Sequence, residues 1–150
     1  MPLDQGPSIQ TSDTIYAVLC VSPFRDDYET LERFLSGGNW TIHHASTLCG
    51  AKHLLKSNSY RLVICERDMP PDSWKDVLVE AAALPSAPFF LVTSLHADDA
   101  LWAEALNWGA YDVLTKPFQQ ADVVRALNMA ALHWNYRHDL AKPLVRRAGR

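Results

Sequence analysis

The sequence predicts an α/β fold, a parallel five-stranded sheet covered by helices on both faces. Five short apolar runs recur along the chain, too continuous to belong to strands with one wet face. Between them lie segments whose apolar residues return at helical spacing. The connections are short, and no internal repeat, low-complexity block or interior linker interrupts the series. Strand and helix alternating in this way specify a parallel sheet wound right-handedly.

The first buried strand is Ile15 to Val21, stopped by Ser22-Pro23. Asp26 with Glu29 three residues later resembles a capping box, and Tyr28, Leu31 and Leu35 continue the first helix until Gly37-Gly38-Asn39 ends it. Trp40 to Ala45 is the second strand. Ser46 or Thr47 caps a second helix through Ala51, Leu54 and Leu55 to about Ser57. The stretch Arg61-Leu62-Val63-Ile64-Cys65-Glu66-Arg67-Asp68-Met69-Pro70 holds the third strand and a charged turn beyond its carboxyl end, where open α/β sheets keep their chemistry. Ser73 caps a third helix carrying Trp74, Val77, Leu78 and Ala81. Phe89 to Thr93 is the fourth strand. His96 to Asp99 opens a fourth helix closed by Gly109. Tyr111 to Thr115 is the fifth strand, and a long last helix runs from about Gln120 to near His138.

Residues 1–13 read as a polar, flexible leader, 14–138 as one domain and 139–150 as a basic tail with Lys142, Arg146, Arg147 and Arg150. At 150 residues the chain suits one core, and a net charge of -3 argues against nucleic acid as the main partner. No run reaches the ~18 apolar residues of a membrane span, and no signal-peptide pattern opens the chain, so a cytoplasmic place without membrane contact is expected. Cys20, Cys49 and Cys65 lack metal-ligand spacing, and Cys20 and Cys65 read as buried apolar residues. The six histidines build no site: His43 and His44 point to opposite faces of a strand, and the others are isolated. Phosphate-binding glycine loops and nucleophile elbows are absent from the sequence.

Within this frame Met69-Pro70, Leu91-Val92-Thr93-Ser94, Gly109-Ala110 and Leu114-Thr115-Lys116-Pro117-Phe118 stand in order at successive strand ends. Together, over roughly Thr14 to Trp134, they make the chain similar to the receiver domain of bacterial two-component response regulators. The resemblance implies a flavodoxin-like three-layer sandwich of strand order 2-1-3-4-5. It also implies a phosphoryl group accepted on an aspartate from a histidine kinase, with magnesium held by that aspartate and by an acidic pair after the first strand. At the matching positions this sequence has Glu66 for the acceptor, Ser22 and Pro23 for the acidic pair, and Val113 for the aromatic switch residue. Thr93 and Lys116 match the family's hydroxyl and its lysine.

Mg²⁺ demands near-octahedral oxygen coordination with carboxylates among its ligands. Ser22 offers a weak ligand, Pro23 none, and Glu66 carries an extra methylene that displaces its carboxylate. Magnesium binding is therefore expected to be weak or absent, and with it in-line phosphoryl transfer. The longer Glu66 reaches toward Lys116 and Thr93, which suggests a domain held near one conformation by a Glu66–Lys116 pair, with Thr93 as donor. Asp68, two residues beyond, is the runner-up acceptor, so phosphorylation on Glu66 or Asp68 by a histidine kinase is the alternative. Asp26 and Asp27 can imitate the acidic pair through a slipped register or simply cap the first helix.

In the family, partners and dimer mates use the face of helix four, strand five and helix five. Here Trp102, Ala105, Leu106 and Gly109 form one stripe of helix four, expected to face the sheet, with Leu101 and Trp108 flanking it. In helix five Val123, Leu127, Ala130 or Ala131, and Trp134 are expected core, leaving Met129, Leu132 and Tyr136 toward the sides. Leu101, Trp108, Val113, Met129 and Leu132 are thus the expected contacts for a signalling partner or a second copy. No catalytic turnover and no resident cofactor are expected.

Overall fold

The computed structural model describes residues 15–140; the predicted leader and all but the first two residues of the predicted basic tail lie outside these. Five strands form one parallel sheet: β1 (Tyr16–Val21), β2 (Trp40–Ala45), β3 (Leu62–Glu66), β4 (Phe89–Ser94) and β5 (Asp112–Thr115). Their spatial order is β2-β1-β3-β4-β5. The helices are α1 (Arg25–Leu35), α2 (Leu48–Ser57), α3 (Trp74–Ala82), α4 (Asp99–Asn107) and α5 (Gln120–Leu140). This is the flavodoxin-like fold. Every residue of β3 is buried, as a central strand between two helical layers requires.

Successive side chains of each strand enter opposite cores. Leu19, Val21, Val63, Cys65, Phe90 and Val92 pack against Ala51, Trp74, Val77, Leu101 and Ala105 on one face. Val18, Cys20, Leu62, Ile64, Leu91 and Leu114 pack against Leu31, Leu35, Val123 and Leu127 of α1 and α5 on the other. Fully burying one such aliphatic side chain stabilises the fold by roughly 1.5–3 kcal/mol.

The helix starts follow local chemistry with one exception. Thr47 caps α2, its side chain accepting from Gly50 N at 3.0 Å. At α3, Ser73 Oγ accepts from Lys75 N at 3.2 Å while the Asp76 carboxylate accepts from Ser73 N at 2.9 Å. Asp98 caps α4 through Leu101 N at 2.9 Å. At α1 the expected Asp26–Glu29 box does not form: the capping position falls on Phe24, which offers no side-chain acceptor, and Glu29 pairs with Arg25. Gly37 ends α1 and Gly109 follows α4 with φ of 84° and 96°, where a Cβ would be strained.

Two expectations about the outer surface are corrected. In α4 Leu101 and Ala105 face the core, whereas Trp102 and Leu106 are 36% and 53% exposed, so the helix is rotated from the predicted stripe. Val113 is also core. Leu101 and Val113 therefore cannot be surface contacts. In α5 the expected core residues Val123, Leu127, Ala130, Ala131 and Trp134 are buried, and Met129, Leu132 and Tyr136 stand outward.

Candidate functional site

The parallel register brings the carboxyl ends of β1, β3, β4 and β5 to one edge of the sheet. Glu66 pairs in register with Thr93, and Ser94 with Thr115. Ser22 follows β1, anchored by Ser22 N donating to Ala45 O at 3.0 Å, and Lys116 follows β5, anchored by Lys116 N donating to Ser94 O at 3.0 Å. The Lys116–Pro117 peptide is cis. Ser22, Glu66, Thr93 and Lys116 thus converge from four separate strand ends.

Lys116 is the centre of the cluster. Its ammonium makes ion pairs with Glu66 Oε1 and with Asp27 Oδ2, the latter at 2.9 Å. The three side chains are only 9%, 4% and 12% exposed for Lys116, Glu66 and Asp27. The Glu66 contact is a close charge pair without hydrogen-bond alignment, so Oε1 has no aligned donor among the described residues. Glu66 Oε2 accepts from Asp68 N at 3.1 Å. Glu66 takes no hydrogen bond from Thr93, which is buried in register beside it.

Asp27 was expected to cap α1 or to imitate an acidic pair; the structure turns it into the site. Its Oδ2 accepts from Ser22 Oγ at 2.7 Å as well as from Lys116. Ser22 Oγ in turn accepts from Phe24 N at 3.1 Å, folding the chain after β1 so that α1 presents Asp27 inward. Phe24 closes the outside, its ring centroid 5.0 Å from Lys116 Nζ in a cation–π contact. Pro23 and Asp26 are exposed. Asp68 is exposed too, and is held by Arg67 through contacts of 3.3 and 3.2 Å.

Burial opposes the charge on Lys116, but its interactions with the two carboxylates of Glu66 and Asp27 outweigh it, and its pKa is raised. Beneath the cluster Cys20 is pushed up to about 12, first by burial and then by the charge of Asp27, while burial holds Cys65 well above the usual thiol range. Both thiols are neutral and unreactive at physiological pH. Among the described residues no group of three or more His, Cys, Asp or Glu side chains has metal-binding geometry.

Phe24 also lines a cleft of about 510 Å³ that reaches Asp27 and Lys116 of the cluster, with Arg33, Phe34, Leu95 and Phe118 as its other walls. A larger groove of about 610 Å³ runs along α4, β5 and α5, bordered by Trp102, Tyr111, Phe118, Arg125 and Met129. Leu106, Leu132 and Tyr136 extend the exposed apolar surface of these helices, and Trp108 stands beyond α4, 47% exposed against Trp74 and Lys75.

Comparison with known proteins decides the family. The response regulator receiver domain matches residues 18–128, most of the chain. The protein belongs to this family. Its fold superposes on the signal receiver domain of an HD domain-containing protein from Pseudomonas fluorescens Pf-5 with a TM-score of 0.75 and 26% identity, over 83% of this chain and 93% of that one. A chain of the adenylate cyclase from Rhodopirellula baltica gives 0.74 at 21% identity, over 83% and 93%. A two-component response regulator from Clostridium difficile gives 0.73 at 19% identity, over 80% and 98%. The last two speak for the fold alone. No curated protein matches the sequence. Receiver domains are signalling modules that work with histidine kinases or other signalling proteins. Among the described residues of this one, no helix is long and apolar enough to cross a membrane.

Proposed function

We propose that this receiver domain is degenerate, and that it acts as a phosphorylation-independent protein-interaction module with Glu66 in the phosphoacceptor position. The observation that carries the reading is the buried cluster in which Lys116 is shared between Glu66 and Asp27. An incoming phosphoryl group needs a free carboxylate oxygen, a metal to neutralise charge and the lysine ammonium. Here the ammonium is already held between two carboxylates, Glu66 Oε1 lies against that ammonium and Oε2 accepts from Asp68 N, and the Phe24 ring lies over the lysine.

The donor set does not suit Mg²⁺. Ser22 spends its hydroxyl proton on Asp27, Pro23 has no side-chain oxygen, and the oxygens of Asp27 and Glu66 that face the cluster face an ammonium. The module acts by contact rather than by turnover.

The docking surface is the face of α4, β5 and α5. Trp102, Leu106, Met129 and Leu132 stand exposed there around the large groove, in the aromatic, Leu and Met chemistry of protein interfaces. Trp108 extends it toward α3. The occupant is a signalling protein or a second copy of the chain, with a histidine kinase as the alternative partner. A magnesium titration followed by tryptophan fluorescence and by amide NMR tests the closed site. The reading expects no saturable change near Glu66, Asp27 or Ser22. Saturable shifts there at low millimolar metal would overturn it.

A further inference from the structure

A third concavity, of about 370 Å³, lies at the opposite end of the sheet from the ion cluster. Leu78 and Ala82 of α3, Phe89 at the start of β4, Ala110 and Tyr111 before β5, and Arg137 near the end of α5 form its walls. Among the described residues Arg137, itself exposed at the rim, is the one charged residue that lines it. Its guanidinium is fixed from three sides. The Cζ lies 4.3 Å from the centroid of the Phe89 ring and 5.3 Å from that of Trp134, and Nη2 donates to Ala87 O at 2.7 Å. Tyr111 stacks near Phe89 at 4.9 Å, and its hydroxyl is hydrogen-bonded to His133 Nδ1.

Among the described residues no carboxylate forms an ion pair with Arg137. Among the described residues its one hydrogen bond is to a carbonyl, and no side chain engages its other donors. A planar guanidinium matches a carboxylate in a two-pronged contact, and here its side-chain freedom has already been given up to the two rings. The other walls are aliphatic or aromatic and ask for an apolar body. The volume lies within the ordinary range of small-ligand sites, toward its lower end. A phosphate ester would present more charge than one cation can balance, so the chemistry selects a monoanion.

We infer that this basal cavity binds a small monocarboxylate with an aromatic or branched apolar body, its carboxylate on Arg137 and its body among Leu78, Ala82 and Tyr111. The site is separate from the cluster that carries the proposed function, and it stands or falls independently of that reading. Tyr111 lines both this cavity and the groove along α4, β5 and α5, so an occupant rests on a ring that the two share.

The test is an amide NMR titration of the full chain with phenylacetate, beside phenylacetamide and acetate. Phenylacetate is expected to give saturable shifts at Leu78, Phe89, Ala110 and Tyr111, with an affinity of roughly millimolar or better for so small a ligand. The amide, which keeps the body and loses the charge, is expected to bind about tenfold or more weakly, as is acetate, and Arg137→Met is expected to weaken phenylacetate to the same degree. Because Arg137→Met also removes the contacts that tie α5 to Ala87 and Phe89, Ala82→Phe serves as a second variant: it fills the cavity, keeps the guanidinium and should abolish the shifts in a protein whose spectrum is otherwise folded. Absence of saturable shifts at those residues, equal binding of acid and amide, or unchanged binding in Ala82→Phe would each refute the site.

Discussion

Replacing Lys116 by alanine removes the single cation from a cluster that holds two carboxylates. Glu66 is 4% exposed and Asp27 12%, so neither regains full hydration when the ammonium is lost. Taking one partner from a buried ion pair costs about 3–5 kcal/mol, because a charge is left unbalanced. Phe24, which covers Lys116, is itself 53% exposed, so water can reach the rim and the lower end, ~3 kcal/mol, is the appropriate value. For a domain of this size that corresponds to a fall in Tm of about 10 °C. The assay is thermal unfolding by circular dichroism, with urea unfolding as a second measure. Glu66→Gln combined with Lys116→Ala, measured beside each single variant, removes a carboxylate together with the cation, while Ser22 Oγ still donates to Asp27. The double variant should therefore recover more than half of the loss, a coupling of about 1–3 kcal/mol between neighbours. A fall in Tm under about 2 °C for Lys116→Ala, or strict additivity in the pair, would refute the reasoning.

Other consequences follow from the same structure. Stability should decline on the alkaline side: the buried thiols of Cys20 and Cys65 stay protonated in the native state while the unfolded chain ionises them from about pH 9, so the native state binds more protons and loses stability as pH rises. Lys116, whose pKa is raised, adds to that loss above its ordinary value of 10.5, and Tm measured from pH 8 to 11 should show a steepening fall rather than a plateau. A thiol reagent such as Ellman's should modify the exposed Cys49 alone in the native protein, with Cys20 and Cys65 reacting only on unfolding; early reaction of a second thiol would contradict their burial. Leu101→Ala should cost roughly 2–5 kcal/mol in urea unfolding, whereas Met129→Asp with Leu132→Asp should change stability little while weakening capture of any partner or second copy.

Most of the fold was legible because period and punctuation agree. The continuous apolar runs at β1, β3 and β4, the glycines after α1 and α4, and the caps Thr47 and Ser73 all point the same way. Helix α4 was misread because Leu101, Trp102, Ala105 and Leu106 are apolar on two adjoining flanks, and spacing alone cannot choose between them. The smaller Ala105 and the slim Leu101 pack against the sheet, leaving Trp102 outside. The approach of Glu66 to Lys116 could be read from their positions at the carboxyl ends of β3 and β5, on either side of β4, across which a long glutamate and a lysine can meet. The part of Asp27 could not, because a carboxylate early in a helix is ordinarily explained by the helix itself. It is the hydrogen bonding of Ser22, a contact within the β1–α1 turn, that brings Asp27 inward. The Glu66 carboxylate takes its hydrogen bond from the backbone N–H of Asp68 instead of the Thr93 hydroxyl, a contact made by the turn after β3 that residue types alone do not reveal.

The most direct test of a phosphorylation-independent receiver is the intact mass of the protein after incubation with acetyl phosphate and magnesium at neutral pH, beside a conventional receiver domain as a positive control. The account predicts an unchanged mass while the control gains a phosphoryl group. A gain of one phosphoryl group, lost in Glu66→Ala or in Asp68→Ala, would contradict it and name the acceptor.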